Sequence, residues 1–93
     1  MKLVFRAHAL QRMFERAVSV QDVRQVLEQD DKIENYSDDK PFPSALYLGD
    51  LGDRMLHVVA AKNKKASETV VITVYEPSVL KWQPGFRVRR KET

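Results

Sequence analysis

The sequence predicts an α+β fold in which two N-terminal helices pack on a small antiparallel β-meander, all within one domain. Three observations predict it. Apolar residues recur at helical spacing as far as Gln29. From Lys32 the apolar period changes to an extended one. The connections between the later segments are short and rich in turn formers, which joins consecutive strands antiparallel.

Lys2 to Phe5 is short and apolar at alternate points, either a small strand or the lead-in to the first helix. That helix runs from about Ala7 to Ala17. Each helical residue turns the chain by about 100°, so with His8 at zero, Arg12 stands at about 40° and Arg16 at about 80°. Ala9, Met13, Ala17, Leu10 and Phe14 fill an arc from about 100° to 240°, the side expected to pack on a core. Val18 and Ser19 break the helix. Ser19 is a good N-cap with Asp22 at the capping-box position. The second helix carries Val20, Val23, Val26 and Leu27 and ends near Gln29 or Asp30.

Ile33 to Ser37 then reads as a strand, Asp38 to Pro43 as a turn-rich loop, and Ala45 to Leu48 as the next strand. Gly49 to Asp53 is a tight connection. Met55 to Lys62 is a further strand, followed by a charged loop at Asn63 to Ser67. Thr69 to Glu76 is the clearest strand, with Val70, Ile72 and Val74 on one face and Thr69, Val71, Thr73 and Tyr75 on the other. The helices are expected to cover Val70, Ile72 and Val74, leaving Thr73 and Tyr75 on a wetter face. A five-residue loop would set His57 opposite Thr73 and Met55 opposite Tyr75. A slip of one residue would reverse the face of His57. Pro77 stops the strand, Ser78 to Trp82 can form a helical turn, and residues 83–93 are a basic tail.

The chain has 93 residues, is 43% hydrophobic and contains no cysteine. This fits one compact domain without disulfides or thiolate metal sites. Charge interrupts the apolar residues of MKLVFRAHALQRMFER, so it does not read as a secretory signal, and no run is long enough to cross a membrane. The expected setting is cytoplasmic. A net charge of +3 favours an anionic partner. Arg6, Arg12 and Arg16 cluster early, Lys62, Lys64 and Lys65 midway, and Lys81, Arg87, Arg89, Arg90 and Lys91 late. Acids gather between Glu28 and Asp39 and around Asp50 and Asp53.

His8, Arg12 and Arg16 form a stripe suited to phosphate. Arginine offers bidentate donors, and histidine moves a proton near neutral pH. The plainer reading is a solvated helix face. His57 is either a hydrogen-bonded core residue or a second proton carrier. Tyr36, Tyr75 and Trp82 could stack on bases, or close the rim of the core. Two histidines without cysteine or an H-E-x-x-H pattern give no metal-ligand set. There is no phosphate loop and no serine elbow, so no cofactor is expected.

In order, the chain carries His8-Ala9-x-x-Arg12-Met13-x-x-Arg16, Ser19-x-x-Asp22-Val23, Ile33-Glu34-x-Tyr36, Leu56-His57-Val58-Val59 and Val71-Ile72-Thr73-Val74-Tyr75-x-Pro77. This set resembles the uncharacterised family DUF4258 from about Phe5 to Trp82. One departure is Ala17-Val18, where a glycine is expected after the arginine. The family is similar in outline to RelE-like and BrnT-like toxins, which share a two-helix-plus-sheet architecture with small metal-independent ribonucleases. The resemblance implies a toxin-like RNA endonuclease of a type II toxin–antitoxin system. Its partners would be RNA or ribosome-associated RNA, and a small zinc-finger or DNA-binding antitoxin. Metal-free RNA cleavage needs a base, an acid and cations. His8 and His57 are the expected base and acid, with Arg12 and Arg16 on the phosphate and Tyr75 as auxiliary. Lys62, Arg87, Arg89 and Arg90 would follow the RNA backbone. The alternative is a non-catalytic RNA- or protein-binding module.

Overall fold

A computed structural model describes residues 1–91, so the last two residues of the expected basic tail lie outside the described residues. The elements in chain order are β1 (Lys2–Phe5), α1 (Ala7–Glu15), α2 (Val20–Gln29), β2 (Lys32–Tyr36), β3 (Ser44–Asp50), β4 (Met55–Asn63) and β5 (Glu68–Tyr75). The five strands form one mixed sheet in the order β1-β5-β4-β3-β2.

The expected arrangement of two N-terminal helices on a small antiparallel meander is therefore corrected. The chain starts with a strand, and β1 pairs parallel with β5, Lys2 facing Glu68 and Phe5 facing Val71. The physical reason is the free outer edge of β5. The meander leaves the backbone groups of residues 68–71 unpaired, and an alternating segment at the chain start satisfies them. The class remains α+β.

Both helices lie on one side of the sheet. Ala9 and Met13 of α1, and Val23, Val26 and Leu27 of α2, form a buried cluster with Ala45, Tyr47, Leu56, Val58, Ala60, Val71 and Val74. Ser19 caps α2 as expected: Asp22 donates its N–H to the Ser19 hydroxyl at 3.0 Å, and the Ser19 N–H reaches the Asp22 carboxylate at 2.9 Å. Gly49 lets α2 approach β3. A Cβ there would stand 2.3 Å from a Val26 methyl and 2.7 Å from its Cβ, closer than real carbons come.

The buried stripe of α1 is narrower than its wheel predicts. Leu10 is about half exposed and Phe14 is 89% exposed. The helix packs over β5, near one margin of the sheet, so only Ala9 and Met13 find a surface to bury against.

The strand register also differs from expectation. Asn63 pairs with Glu68, leaving a four-residue loop, and between the pairs Val59–Thr73 and Ala60–Val71 the strand β5 carries one extra residue, Ile72, as a bulge. Each change moves the pairing by one residue. His57 therefore faces Tyr75 rather than Thr73. Two single steps restore parity, so His57 and Tyr75 keep the shared face expected of them. The bulge also changes what the helices cover: Val71 and Val74 enter the helix-side core, in place of the expected set Val70, Ile72 and Val74.

Candidate functional site

The side of the sheet away from the helices is not bare. Pro77 ends β5, and the Lys81 and Trp82 N–H groups turn back to the Ser78 carbonyl at 3.1 and 3.0 Å. The run Gln83-Pro84-Gly85-Phe86 then reverses the chain. The Phe86 N–H donates to the Gln83 carbonyl at 2.9 Å, and Gly85 has a φ of 90°. Proline second and a positive-φ glycine third are the residues such a turn demands. The Gln83 N–H meets the Val88 carbonyl and the Arg90 N–H meets that of Lys81, both at 2.8 Å. Trp82 bridges Arg89 antiparallel. The described part of the segment read as a basic tail thus folds back on Lys81 and Trp82 as a small hairpin.

That hairpin lies over a row formed by Leu48, His57 and Tyr75 on adjacent strands. His57 and Trp82 are buried as a result. The Trp82 ring stands edge-on to the imidazole with centroids 4.5 Å apart, and Tyr75 does the same at 5.2 Å. His57 Nε2 lies 2.8 Å from the Phe86 carbonyl oxygen and Nδ1 lies 3.1 Å from the Tyr75 hydroxyl. A carbonyl only accepts, so Nε2 carries the proton. In the neutral ring Nδ1 then accepts from the Tyr75 hydroxyl. Burial holds the imidazole below its ordinary value, against the upward pull of the Phe86 carbonyl and of Glu34. Burial also pushes the Tyr75 phenol up, so it keeps its proton near neutrality.

Two arginines latch the hairpin to β2 and its approach. Arg89 grips Glu34 with two donors, Nε at 2.8 Å and Nη2 at 3.0 Å, and its guanidinium lies 4.6 Å from the Trp82 ring centre. Glu34 also accepts from the Tyr36 hydroxyl at 2.6 Å, and its carboxyl is held below its usual range chiefly by Arg89. With burial acting first and Glu34 beside it, the Tyr36 phenol is pushed up to about 12. Arg87 forks onto Asp31 and lowers that carboxyl in the same way. A cleft of about 290 Å³ opens beside this assembly, lined by Tyr75, Glu76, Ser78, Lys81, Trp82 and Arg89.

Among the expected site residues, the structure brings His57 and Tyr75 together and adds Arg89. It does not bring His8, Arg12 or Arg16 to them. Those three sit on or just after α1, in the layer on the other side of the sheet, all exposed, with Arg12 3.6 Å from Glu15. A pocket joining both histidines to both helix arginines is not formed. Lys62 is two residues beyond Ala60 on the helix side and lines a different cavity. The cations of the tail are largely occupied: Arg87 and Arg89 as described, and Arg90 Nε by the Val79 carbonyl at 2.8 Å. Among the described residues no group of three or more His, Cys, Asp or Glu side chains is placed to hold a metal.

Sequence reading missed Lys81 and the Phe86 carbonyl as parts of this site. The signal was present in Pro84-Gly85, a turn pair flanked by Trp82 and Val88. It also missed Arg54, which donates to the Arg16 and Ala17 carbonyls at 2.8 and 2.7 Å and pairs with Glu76 at 3.0 Å, pinning the end of α1.

The sequence pattern of DUF4258, a domain of unknown function, matches residues 5–76. The chain belongs to that family. No curated protein and no solved structure matches it. The matched span contains His57 and Tyr75 and stops before the hairpin that covers them. No helix among the described residues is long and apolar enough to cross a membrane.

Proposed function

We propose that this protein is a toxin-like, metal-independent RNA endonuclease of a type II toxin–antitoxin system, with Tyr75 as its reactive group. The observation that carries this reading is the Tyr75–His57 hydrogen bond at the wall of a cleft edged by cations. The Tyr75 proton is committed to Nδ1 of His57, which leaves the phenolic oxygen free to accept. A ribose 2′-hydroxyl docked there gives its proton to Tyr75 Oη as the tyrosine proton passes to Nδ1. The imidazolium so formed is held by the Phe86 carbonyl and by the Glu34 carboxylate nearby. The 2′-oxygen attacks the adjacent phosphorus, closing a cyclic phosphate and releasing the 5′-oxygen, which takes its proton from the Lys81 ammonium. Arg89 spends Nε and Nη2 on Glu34 and keeps Nη1 for a phosphate oxygen. RNA or ribosome-associated RNA is the substrate on this reading. A small zinc-finger or DNA-binding antitoxin is the partner, the setting is cytoplasmic, and the relationship is to RelE-like and BrnT-like toxins.

The test is incubation with RNA in EDTA. The expected products carry 2′,3′-cyclic phosphate and 5′-hydroxyl ends. His57→Gln, which keeps an amide donor for Phe86 and lacks the base, abolishes them. His8→Ala and Arg12→Ala cleave like the parent. Loss of cleavage in the α1 variants alone would move the site to that helix.

A second reading is a non-catalytic RNA- or protein-binding module. It is favoured by the complete burial of His57 with both nitrogens engaged, as in a structural core histidine. Salt-sensitive RNA binding without products would select it.

A further inference from the structure

A concentration of uncommitted charge lies on the other side of the sheet. A cavity of about 490 Å³ opens there between β2, the end of β4 and the approach to β3, and no helix residue lines it. Four lysines surround it: Lys32 from β2, Lys62 from β4, and Lys64 and Lys65 from the loop that follows. Its apolar wall is Phe42 and Pro43. No carboxylate lines the cavity, and none of the four ammonium groups forms a salt bridge among the described residues. The arginines of the hairpin behave oppositely, since two of them are matched to acids. Lys32 Nζ rests 5.9 Å from the Tyr47 ring centre, a weak compensation for its charge.

Four like charges around one concavity repel each other, and water and dissolved salt only partly screen that repulsion. Such an arrangement is relieved by a ligand carrying several negative charges within a few ångströms. Phosphates in sequence supply them. The apolar wall asks for more than phosphate, because Phe42 is half-buried and offers the remaining ring surface to the cavity side. A base stacked on that ring is worth about 1–3 kcal/mol in comparable single-strand sites. The volume is in the range of pockets that hold small ligands.

We propose that the Lys32, Lys62, Lys64, Lys65 and Phe42 cavity binds a phosphorylated nucleoside, its phosphates on the lysines and its base on Phe42. The ligand is a free nucleoside polyphosphate or one segment of an RNA strand, which share this chemistry. The site lies across the sheet from the Tyr75 cleft and does not depend on cleavage there, so it stands or falls by binding alone.

The test uses the intact chain. Binding of ADP, of pyrophosphate and of a labelled hexa-adenylate is measured at about 50 and about 200 mM salt. ADP, the oligonucleotide or both are expected to bind, and which of them does so identifies the source. If all four lysines meet phosphates, the oligonucleotide weakens about 50-fold between the two salts. The double reversal Lys62→Glu with Lys64→Glu is expected to cost at least about tenfold, and Phe42→Ala a similar loss, at unchanged circular dichroism. The double reversal Arg12→Glu with Arg16→Glu, an equal charge change on and just after α1, leaves binding as it was. The proposal is overturned if neither nucleotide ligand binds, if the double reversal leaves affinity intact, or if pyrophosphate binds as tightly as ADP.

Discussion

His57 is the residue on which the site turns. Its Nε2–H is spent on the Phe86 carbonyl, so its Nδ1 has one available role, accepting from Tyr75. Burial makes the charged ring unfavourable, and this has a consequence for stability. The folded imidazole titrates below the ordinary value of 6.5, so just under that pH the unfolded chain binds a proton that the folded chain refuses. Stability is full above about 6.5, declines as pH falls, and levels off only below the folded value. Urea midpoints between about pH 7.5 and 5.5 should drop accordingly, and His57→Gln should flatten the slope. Glu34 and Asp31 act in a separate, lower window. Their folded values are depressed, so the stability they contribute is lost as pH falls through 4.5 and 3.8 and below.

The turn between the helices shows what local sequence does well. Helix α1 ends with the Val18 N–H bonded to the Met13 carbonyl at 2.9 Å and the Ala17 N–H directed at that of Phe14 at 3.4 Å. This is the pattern of a helix stop that needs one left-handed residue, and Ala17 holds it with a φ of 54°. The family pattern leads one to expect glycine at this point, and the geometry explains why. An alanine there carries roughly 1–2 kcal/mol of backbone strain, part of which glycine returns as unfolded-state entropy. Ala17→Gly should therefore raise the melting temperature by roughly 3–6 °C, read by thermal unfolding, and an unchanged or lower value would show the strain to be absent. The Ser19–Asp22 capping box was legible for the same reason: its partners are three residues apart.

What was illegible at the scale of the whole molecule is non-local. Nothing in Lys2 to Phe5 announces that its partner is residues 68–71, 66 positions away. The bulge at Ile72 is set by how Val71 and Val74 pack under the helices, and no turn residue marks it. The sequence leaves the face of His57 open; its five-residue-loop register is two residues off, and alternation returns His57 and Tyr75 to one face. The segregation of acids near Glu28–Asp39 from bases near the chain end was visible, and its meaning was not. Asp31 and Glu34 are the sockets for Arg87 and Arg89, so the tail folds back and buries the histidine. The lysines around Phe42, by contrast, stay unmatched. One face is therefore closed by internal ion pairs, and the other is left open to an external anion.

The most direct measurement is single-turnover cleavage of a short RNA in EDTA by the parent chain and by Tyr75→Phe. That change removes one oxygen and keeps the ring against His57. The account predicts cleavage by the parent and a loss of about a hundredfold or more in the variant, the size expected of a lost proton carrier. Equal rates, or a parent that binds RNA and leaves it whole, would contradict it.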